Sequence, residues 1–265
     1  MTCACGHHHS PRHSHDAKGT PISLKNPMVG LTGRLVCQDA GQMMTALSLL
    51  PDHIRLSREE PGCLRFDLWQ DEDPLVWHLA ELFVDADAFA AHGARTRASE
   101  WGQASAGFRF DLHRHDVTPV IRPETRQDLD AIDALLRDSF GGDDEARLVR
   151  KLRENGDLAL SLVADAAGAI LGHVALSPLG CDHPAFALAP LSAAGKAQGR
   201  GIGAALVHQA VLWADAAAVV VVGAPGYYGP LGFKPADLKS PYAGLAMQMI
   251  GDLPPGSTIR HAPAF

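Results

Sequence analysis

The stretch Gln198-Gly199-Arg200-Gly201-Ile202-Gly203 decides the fold of the second half of the chain. It follows residues with strand character and runs directly into a predicted helix that begins Ala204-Ala205-Leu206. Glycines at such a turn let the backbone approach a ligand closely and direct several N–H groups at one point. The positive end of the helix strengthens this preference for an anion. The stretch therefore predicts a phosphate or pyrophosphate site at a strand-to-helix turn.

Two other interpretations of these glycines compete with a phosphate site. A dinucleotide-binding turn needs a second βαβ half with an acidic residue for the ribose, and no such half follows. A glycine-rich turn that only shapes the connection stays open when Gln198–Gly203 is taken alone. The surrounding sequence is therefore needed to decide between them.

Outward from the glycines, the chain predicts a mixed α/β unit that begins after Pro119. Apolar spacing predicts helices over 125–140, 144–154 and 203–214, with a short helix near 227–232. Strands are predicted over 120–122, 158–164, 169–177, 185–193 and 219–222. The glycines thus lie between a predicted strand and the helix that follows it.

Two segments of this unit resemble one enzyme superfamily. The run Leu188–Gly203 resembles the acyl-coenzyme A site of the GNAT superfamily of N-acetyltransferases, and Tyr227–Phe233 resembles its tyrosine-bearing segment. Segments similar to YhbS-type members of that superfamily are 160–164, 172–178 and 260–265. The resemblance covers residues 119–265 and departs from the pattern at Gly195, where a proline is common.

The resemblance implies an acetyl-CoA site and direct transfer of the acetyl group to an amine. The implied cofactor-binding residues are Leu191, Ser192, Ala193, Gln198, Gly199, Arg200, Gly201, Ile202, Gly203 and Ala204. The strand residues among them would bind the pantetheine arm and polarise the thioester carbonyl, and the loop amides would hold the pyrophosphate. Tyr228 matches the superfamily's general acid, which would protonate the leaving thiolate. Its alternative role is that of a core aromatic whose hydroxyl is satisfied.

No general base can be assigned from the sequence. An amine must be neutral to attack, so a side chain or a chain of waters has to remove its proton. His173, Asp182 and His183 are candidates because they lie close in sequence to the expected acceptor groove. Such residues near a loop are more often structural or solvated.

Residues 28–117 predict a first domain of a different kind. Apolar spacing gives the order strand, helix, strand, strand, helix, strand, which is the ferredoxin-like arrangement. Segments 57–66, 77–81 and 87–92 resemble the antibiotic biosynthesis monooxygenase domain, a family of dimeric α+β barrels. The expected fold class is therefore α+β, with a ferredoxin-like domain followed by a GNAT-type mixed α/β domain over 119–265. Because fold does not determine activity, the resemblance leaves the role of the first domain open, and we expect homodimerisation.

Four residues of the first domain could line a pocket, namely Trp77, His78, Glu81 and His92. The plainer interpretation assigns Trp77 to the core, Glu81 to a buried pair and His92 to a helix end that favours a cation. The sequence favours the plainer interpretation for each of them.

Residues 1–27 predict a disordered tail, since they contain almost no apolar bulk. Cys3, Cys5 and the clustered histidines 7–9, 13 and 15 supply thiolate and imidazole ligands for metal ions. No scaffold spaces these ligands, so no metal site is assigned.

Composition excludes several classes of protein. The net charge of −7 argues against a dedicated nucleic-acid partner. No apolar run is long enough to span a bilayer, and no signal peptide is recognisable, so we expect no membrane partner. The odd number of cysteines, 5, favours a reduced cytoplasmic setting.

The resemblances thus imply an acetyl-CoA-dependent N-acetyltransferase with an appended dimerisation domain. One alternative is a bifunctional protein whose first domain is a cofactor-independent oxygenase. The other is a non-catalytic sensor of acyl-CoA or metal. The acceptor would be a small-molecule or peptide amine, and an acidic surface would steer a cationic one towards the protein.

Overall fold

The computed structural model describes residues 19–244 and 246–265. In this part of the chain the helices are α1 (Ala40–Glu59), α2 (Ala86–Ala98), α3 (Glu100–Ala104), α4 (Leu129–Phe140), α5 (Asp144–Asn155), α6 (Ile202–Ala214) and α7 (Pro225–Tyr228). The strands are β1 (Thr20–Pro21), β2 (Met28–Val36), β3 (Cys63–Gln70), β4 (Val76–Phe83), β5 (Arg109–Val117), β6 (Val120–Pro123), β7 (Leu160–Ala166), β8 (Ala169–Pro178), β9 (Ala185–Ala193), β10 (Ala218–Val222), β11 (Lys234–Pro235), β12 (Leu238–Lys239), β13 (Met247–Ile250) and β14 (Ser257–Thr258).

The first domain has the predicted ferredoxin-like arrangement. Its antiparallel sheet has the strand order β3-β4-β2-β5, and α1, α2 and α3 pack on one face of it. Asp85 is the N-cap of α2, and its side chain accepts a hydrogen bond from the backbone N–H of Ala88 at 2.9 Å. The predicted α+β class is confirmed for this half.

Helix α1 continues through Pro51, a residue type that usually kinks or ends a helix. The helix runs from Ala40 to Glu59 with Pro51 inside. Ala46 and Leu50 are buried before the proline, and Ile54 packs on the same core after it. Burial on both sides of Pro51 thus outweighs the hydrogen bond that a proline removes.

The second domain is a mixed sheet with the strand order β1-β6-β7-β8-β9-β10-β13-β11. The pairing of β9 with β10 is parallel, and the other pairings of this sheet are antiparallel. Helices α4 and α5 pack on Val163 and Ala175 on one face. Helix α6 packs through Leu206 on Leu162 and Val174 on the other face. The sheet therefore carries helices on both faces, as a mixed α/β domain requires.

Residues 19–27 depart from the predicted tail. Thr20 pairs with Ile121 of β6, so β1 extends the sheet of the second domain, and Ile22 is 3% exposed. Burial of this isoleucine gives the segment an apolar anchor. The cysteines and histidines that could supply metal ligands lie outside the described residues.

The two domains share a hydrophobic core. Met28, Leu82 and Val117, on the sheet face opposite the first domain's helices, pack in one cluster with Ile22 and Ile121 of the second domain's sheet. The second domain thus covers one end of the sheet face opposite the first domain's helices.

The other end of that face is more polar. Arg34 and Asp111 form an exposed ion pair at 3.0 Å, and Trp69, 49% exposed, stacks on His78. A homodimer through this face stays a prediction and would have to use this end. Among the described residues, no helix is both long and apolar enough to cross a membrane.

Candidate functional site

Strands β9 and β10 part in the middle of the second domain's sheet. Their parallel pairing runs from Ala185 to Ala187 on β9 and from Ala218 to Val220 on β10. Strand β9 then continues to Ala193 beside β8 alone, with an irregularity opposite Val174 and Leu176. A ligand can therefore reach the backbone of β9 on the side from which β10 has diverged.

The glycine-rich loop follows β9 and begins α6. Gly199 has a φ of 74° and Gly201, the N-cap residue of α6, has a φ of 84°. A Cβ at either position would meet no neighbouring atom within 4 Å, so glycine is required here by backbone conformation and not by crowding. The N-cap residue supplies no side-chain cap, so amides of the first helical turn stay available to an anion.

A cleft of about 500 Å³ lies between the end of β9 and this loop. The predicted cofactor-binding residues that line it are Leu191, Ser192, Ala193, Gln198, Gly199, Gly201, Ile202, Gly203 and Ala204. Arg200 is the exception, because its guanidinium turns away to Asp85 of the first domain, with Nη2 2.6 Å from Oδ2. The fold thus gathers the predicted residues in one cleft and leaves Arg200 only its backbone amide to offer a ligand.

Both tyrosines of the α7 segment also line the cleft. Tyr228 is 9% exposed and Tyr227 is 42% exposed. A Cβ on Gly223, at the end of β10, would clash with the Tyr228 ring, so this glycine lets the ring pack against the strand. Burial, together with the neighbouring Tyr227, raises the pKa of Tyr228 to about 12. Tyr228 is therefore a protonated hydroxyl at the point where β9 and β10 diverge.

A second, smaller cavity of about 120 Å³ opens at the same divergence. Residues 187–189 and 220–222 form its walls, and Tyr242, His261 and Phe265 close it. Nδ1 of His261 is buried and has no hydrogen-bond partner within 19–244 and 246–265, while Nε2 lies 3.3 Å from Oγ of Ser240. Burial lowers the pKa of His261, so its imidazole is neutral near pH 7 and can accept a proton.

Sequence reasoning missed His261 as a candidate base. The signal available was its place in 260–265, one of the segments that carried the resemblance.

The three general-base candidates suggested by the sequence lie away from the cleft or have no access to it. Asp182 and His183 are exposed in the turn before β9, at the end of that strand opposite the glycine-rich loop. Sequence proximity failed there because the nine residues of β9 separate the turn from the cleft.

His173 is fully buried within the sheet. Its Nε2 lies 2.9 Å from Oγ of Ser161, and that hydroxyl donates to Glu124, which is paired with Arg153. Burial lowers the pKa of His173 to about 4. This network is structural, because it fills the interior and offers no surface to an acceptor.

The first domain encloses a separate cavity of about 370 Å³ between its sheet and helices. Of the four residues predicted there, Glu81 and His92 line it together, with Glu81 Oε2 3.8 Å from His92 Nε2. His78 lies on the opposite sheet face, where it binds Asp71, and Trp77 packs beside the core of α1. His53 is a further lining residue that the sequence did not indicate.

Glu81 makes the stability of the first domain depend on pH. Burial, and then the nearby charge of Glu60, raises the pKa of Glu81 to about 8. The folded state therefore holds a proton that the unfolded state releases above its ordinary pKa of about 4.3, so stability falls as pH rises towards 8. We expect Glu81→Gln to be more stable than the wild type by about 1–2 kcal/mol at pH 8 and to flatten this decline.

Urea unfolding at pH 6, 7 and 8 measures the effect of Glu81→Gln. The exposed Glu72→Gln serves as the matched control and should follow the wild type at each pH. A wild-type stability that rises between pH 7 and 8 would contradict a buried, protonated Glu81.

Two family models match the chain. Residues 129–225 match the acetyltransferase (GNAT) family, and residues 38–104 match the antibiotic biosynthesis monooxygenase family. The chain is also 42% identical over 135 residues to the uncharacterized N-acetyltransferase YhbS of Escherichia coli strain K12. That match spans 47% of this chain and 81% of the relative. Both resemblances, and their order along the chain, are confirmed.

Two solved structures are also similar to this chain. The crystal structure of the GNAT family N-acetyltransferase YhbS from Escherichia coli in complex with CoA has a TM-score of 0.53 and 35% identity, covering 56% of this chain and 92% of that one. A GNAT family acetyltransferase from Brucella melitensis, in complex with acetyl-CoA, has a TM-score of 0.49 and 29% identity, covering 56% of this chain and 97% of that one. The first half of the chain matches the antibiotic biosynthesis monooxygenase family, and the chain belongs to the GNAT family of N-acetyltransferases.

Proposed function

We propose that the second domain transfers an acetyl group from acetyl-CoA to an amine by direct attack. The observation that carries this proposal is the cleft between β9 and the glycine-rich loop, which combines free helix N-terminal amides with the buried hydroxyl of Tyr228. The relative YhbS from Escherichia coli was crystallised with CoA, which supports the choice of acyl carrier.

Acetyl-CoA would lie along the diverging strand with its pyrophosphate at the loop. The amides of Gly199 to Ala204 would hold the pyrophosphate, because helix N-termini favour anions. The backbone of Leu191 to Ala193 would bind the pantetheine arm and polarise the thioester carbonyl. The acetyl group would then reach the point where β9 and β10 part, beside Tyr228.

The small cavity across the diverging strands would receive the acceptor amine. Its aromatic lining by Tyr242, His261 and Phe265 suits a cationic amine carried on an apolar group. The unpartnered Nδ1 of His261 would take one proton from the ammonium and leave a neutral nucleophile. The amine nitrogen then forms a bond to the acetyl carbon, and the carbon–sulfur bond breaks. Tyr228 shares its proton with the departing thiolate, and the second proton that the nitrogen loses as the amide forms neutralises the thiolate and leaves the Tyr228 hydroxyl intact.

Replacement of His261 by glutamine should slow transfer by about tenfold. The effect is below the usual range for a general base because Tyr242 is 44% exposed, so water in this open cavity can take the proton instead. The pH profile of kcat/KM should lose the limb that reports the imidazole, while binding of acetyl-CoA is retained. A pH profile identical to that of the wild type would remove His261 from the mechanism.

The proposed reaction is tested by thiol release from acetyl-CoA in the presence of primary amines. A panel that contains 2-phenylethylamine, spermidine and a lysine peptide covers apolar, polycationic and peptide acceptors. Mass spectrometry of the acceptor should find the N-acetyl product. Tight binding of acetyl-CoA without thiol release for any amine would favour the sensor, and oxygen uptake with a quinol would favour the oxygenase.

For the first domain we propose homodimerisation, and for the protein a cytoplasmic location. Support for the dimer comes from the ferredoxin-like sheet, whose face opposite the helices is left partly free by the second domain. One chain has a mass of 28.1 kDa, and light scattering by the full-length protein should give twice this mass. The mass of a single chain at every concentration of a dilution series would contradict homodimerisation.

A further inference from the structure

The two basic side chains of the segment Ala194–Gly203 both point into the first domain. Arg200 pairs with Asp85, and the two side chains are only 21% and 23% exposed. Nζ of Lys196 donates to the carbonyl oxygens of Arg58 at 2.5 Å, Glu60 at 3.0 Å and Cys63 at 3.2 Å. Neither cation lines the cleft beside the loop. The positive charges of the loop thus bind another domain and not the expected ligand.

These contacts hold a segment that would otherwise be loose. Arg200 lies between Gly199 and Gly201, both with positive φ, and glycine loses more conformational freedom on ordering than any other residue. The contacts of Lys196 and Arg200 anchor the loop on both sides of Gly199. The orientation of the amides in the cleft therefore depends on where the first domain holds these two side chains.

The anchors in the first domain are themselves fixed. Oδ1 of Asp85 caps α2 through the amide of Ala88, which leaves Oδ2 for Arg200. Lys196 binds carbonyls at and just beyond the carboxyl end of α1, where helical hydrogen bonding has ended. The carboxylate of Glu60 is held in turn by Arg95 at 2.5 Å and by His92 at 3.0 Å.

We infer that the first domain is a working part of the acetyl-CoA site: Asp85 and the carboxyl end of α1 are positioning groups that hold the glycine-rich loop, through Arg200 and Lys196, in the conformation that receives the pyrophosphate. This inference rests on the proposed function. It gives the fusion of the two domains a reason that does not require any chemistry in the first one.

A double-mutant cycle on the full-length protein tests the inference. The variants are Asp85→Asn, Arg200→Met and both together, with the dissociation constant of acetyl-CoA measured by calorimetry. Asparagine caps a helix as well as aspartate does, so Asp85→Asn removes the charge and keeps α2. Exposed Asp87→Asn, in the first turn of the same helix, is the matched control.

We expect Asp85→Asn and Arg200→Met each to weaken acetyl-CoA binding by about three- to tenfold, and the double variant to be no weaker than either. Lys196→Met should also weaken acetyl-CoA binding.

A merely structural contact would lower the unfolding temperature of the free protein and leave the dissociation constant of acetyl-CoA unchanged. That result would overturn the inference. The inference would also be overturned if Arg200→Met weakened acetyl-CoA binding further in the Asp85→Asn background, because Arg200 would then act on the ligand directly. A wild type that does not bind acetyl-CoA would instead contradict the proposed function itself.

Discussion

Acetyl-CoA should raise the unfolding temperature of the full-length protein, and Gly201→Val should remove that gain. A ligand that binds only the folded state stabilises it, by about 2.7 kcal/mol when its concentration is a hundred times the dissociation constant. Gly201 has a φ of 84° at the N-cap of α6, a conformation in which a β-branched residue is strained. The substitution should rotate the amides that receive the pyrophosphate and weaken binding by about a hundredfold.

The control for this variant is Gly156→Val. Gly156 has a φ of 77° and caps α5, and a Cβ there, as at Gly201, would meet no atom within 4 Å. The two substitutions therefore impose similar backbone strain, but only one lies at the cleft. Gly156→Val should lower the unfolding temperature of the free protein and keep the full gain from acetyl-CoA. Equal loss of the gain in both variants would show that strain alone, and not the loop, explains the result.

Tyr228→Phe should slow acetyl transfer by about a hundredfold, the low end of the range for general acids. The pKa of Tyr228 is raised to about 12, well above that of an ordinary thiol at about 8.5, so complete proton transfer to a solvated thiolate is uphill. The hydroxyl therefore assists by hydrogen bonding and partial transfer, and the thiolate can still leave without it. Acetyl-CoA affinity and folding should barely change, because phenylalanine keeps the ring against Gly223.

Tyr227→Phe is the internal control for Tyr228. Its hydroxyl lies over Gly203 at the start of α6, and its side chain is far more exposed than that of Tyr228. Turnover with an identified amine should be nearly unchanged in this variant. Full activity in Tyr228→Phe, or a defect confined to Tyr227→Phe, would contradict the assignment of the general acid.

The local part of this site could be predicted from the sequence. The glycines of Gln198–Gly203 act through their own backbone, so their spacing predicts both the turn and the helix that begins after it. The cap residue Asp85 was also predictable, since capping involves an amide only three residues away. The order of elements in the first domain predicted the pairing of β3 with β4, because hairpin strands pair with their sequence neighbours.

The contacts that the sequence did not predict join residues far apart in the chain. Arg200 is 115 residues from Asp85, and Lys196 is 138 residues from Arg58, so no local pattern signals these pairs. His261 meets residues 187–189 of β9 and the end of β10 only because the chain returns past them after β13. Pro51 inside α1 is a third case, in which tertiary burial overrides a local preference.

The central claim is that acetyl-CoA occupies the cleft between the end of β9 and the glycine-rich loop. Hydrogen exchange of the full-length protein, followed by mass spectrometry with and without acetyl-CoA, tests it most directly. We predict slower exchange in peptides that cover 191–204 and 224–228, with smaller protection at the ends of α1 and α2 that contact the loop. Protection confined to the cavity of the first domain, or no protection at saturating acetyl-CoA, would contradict the account.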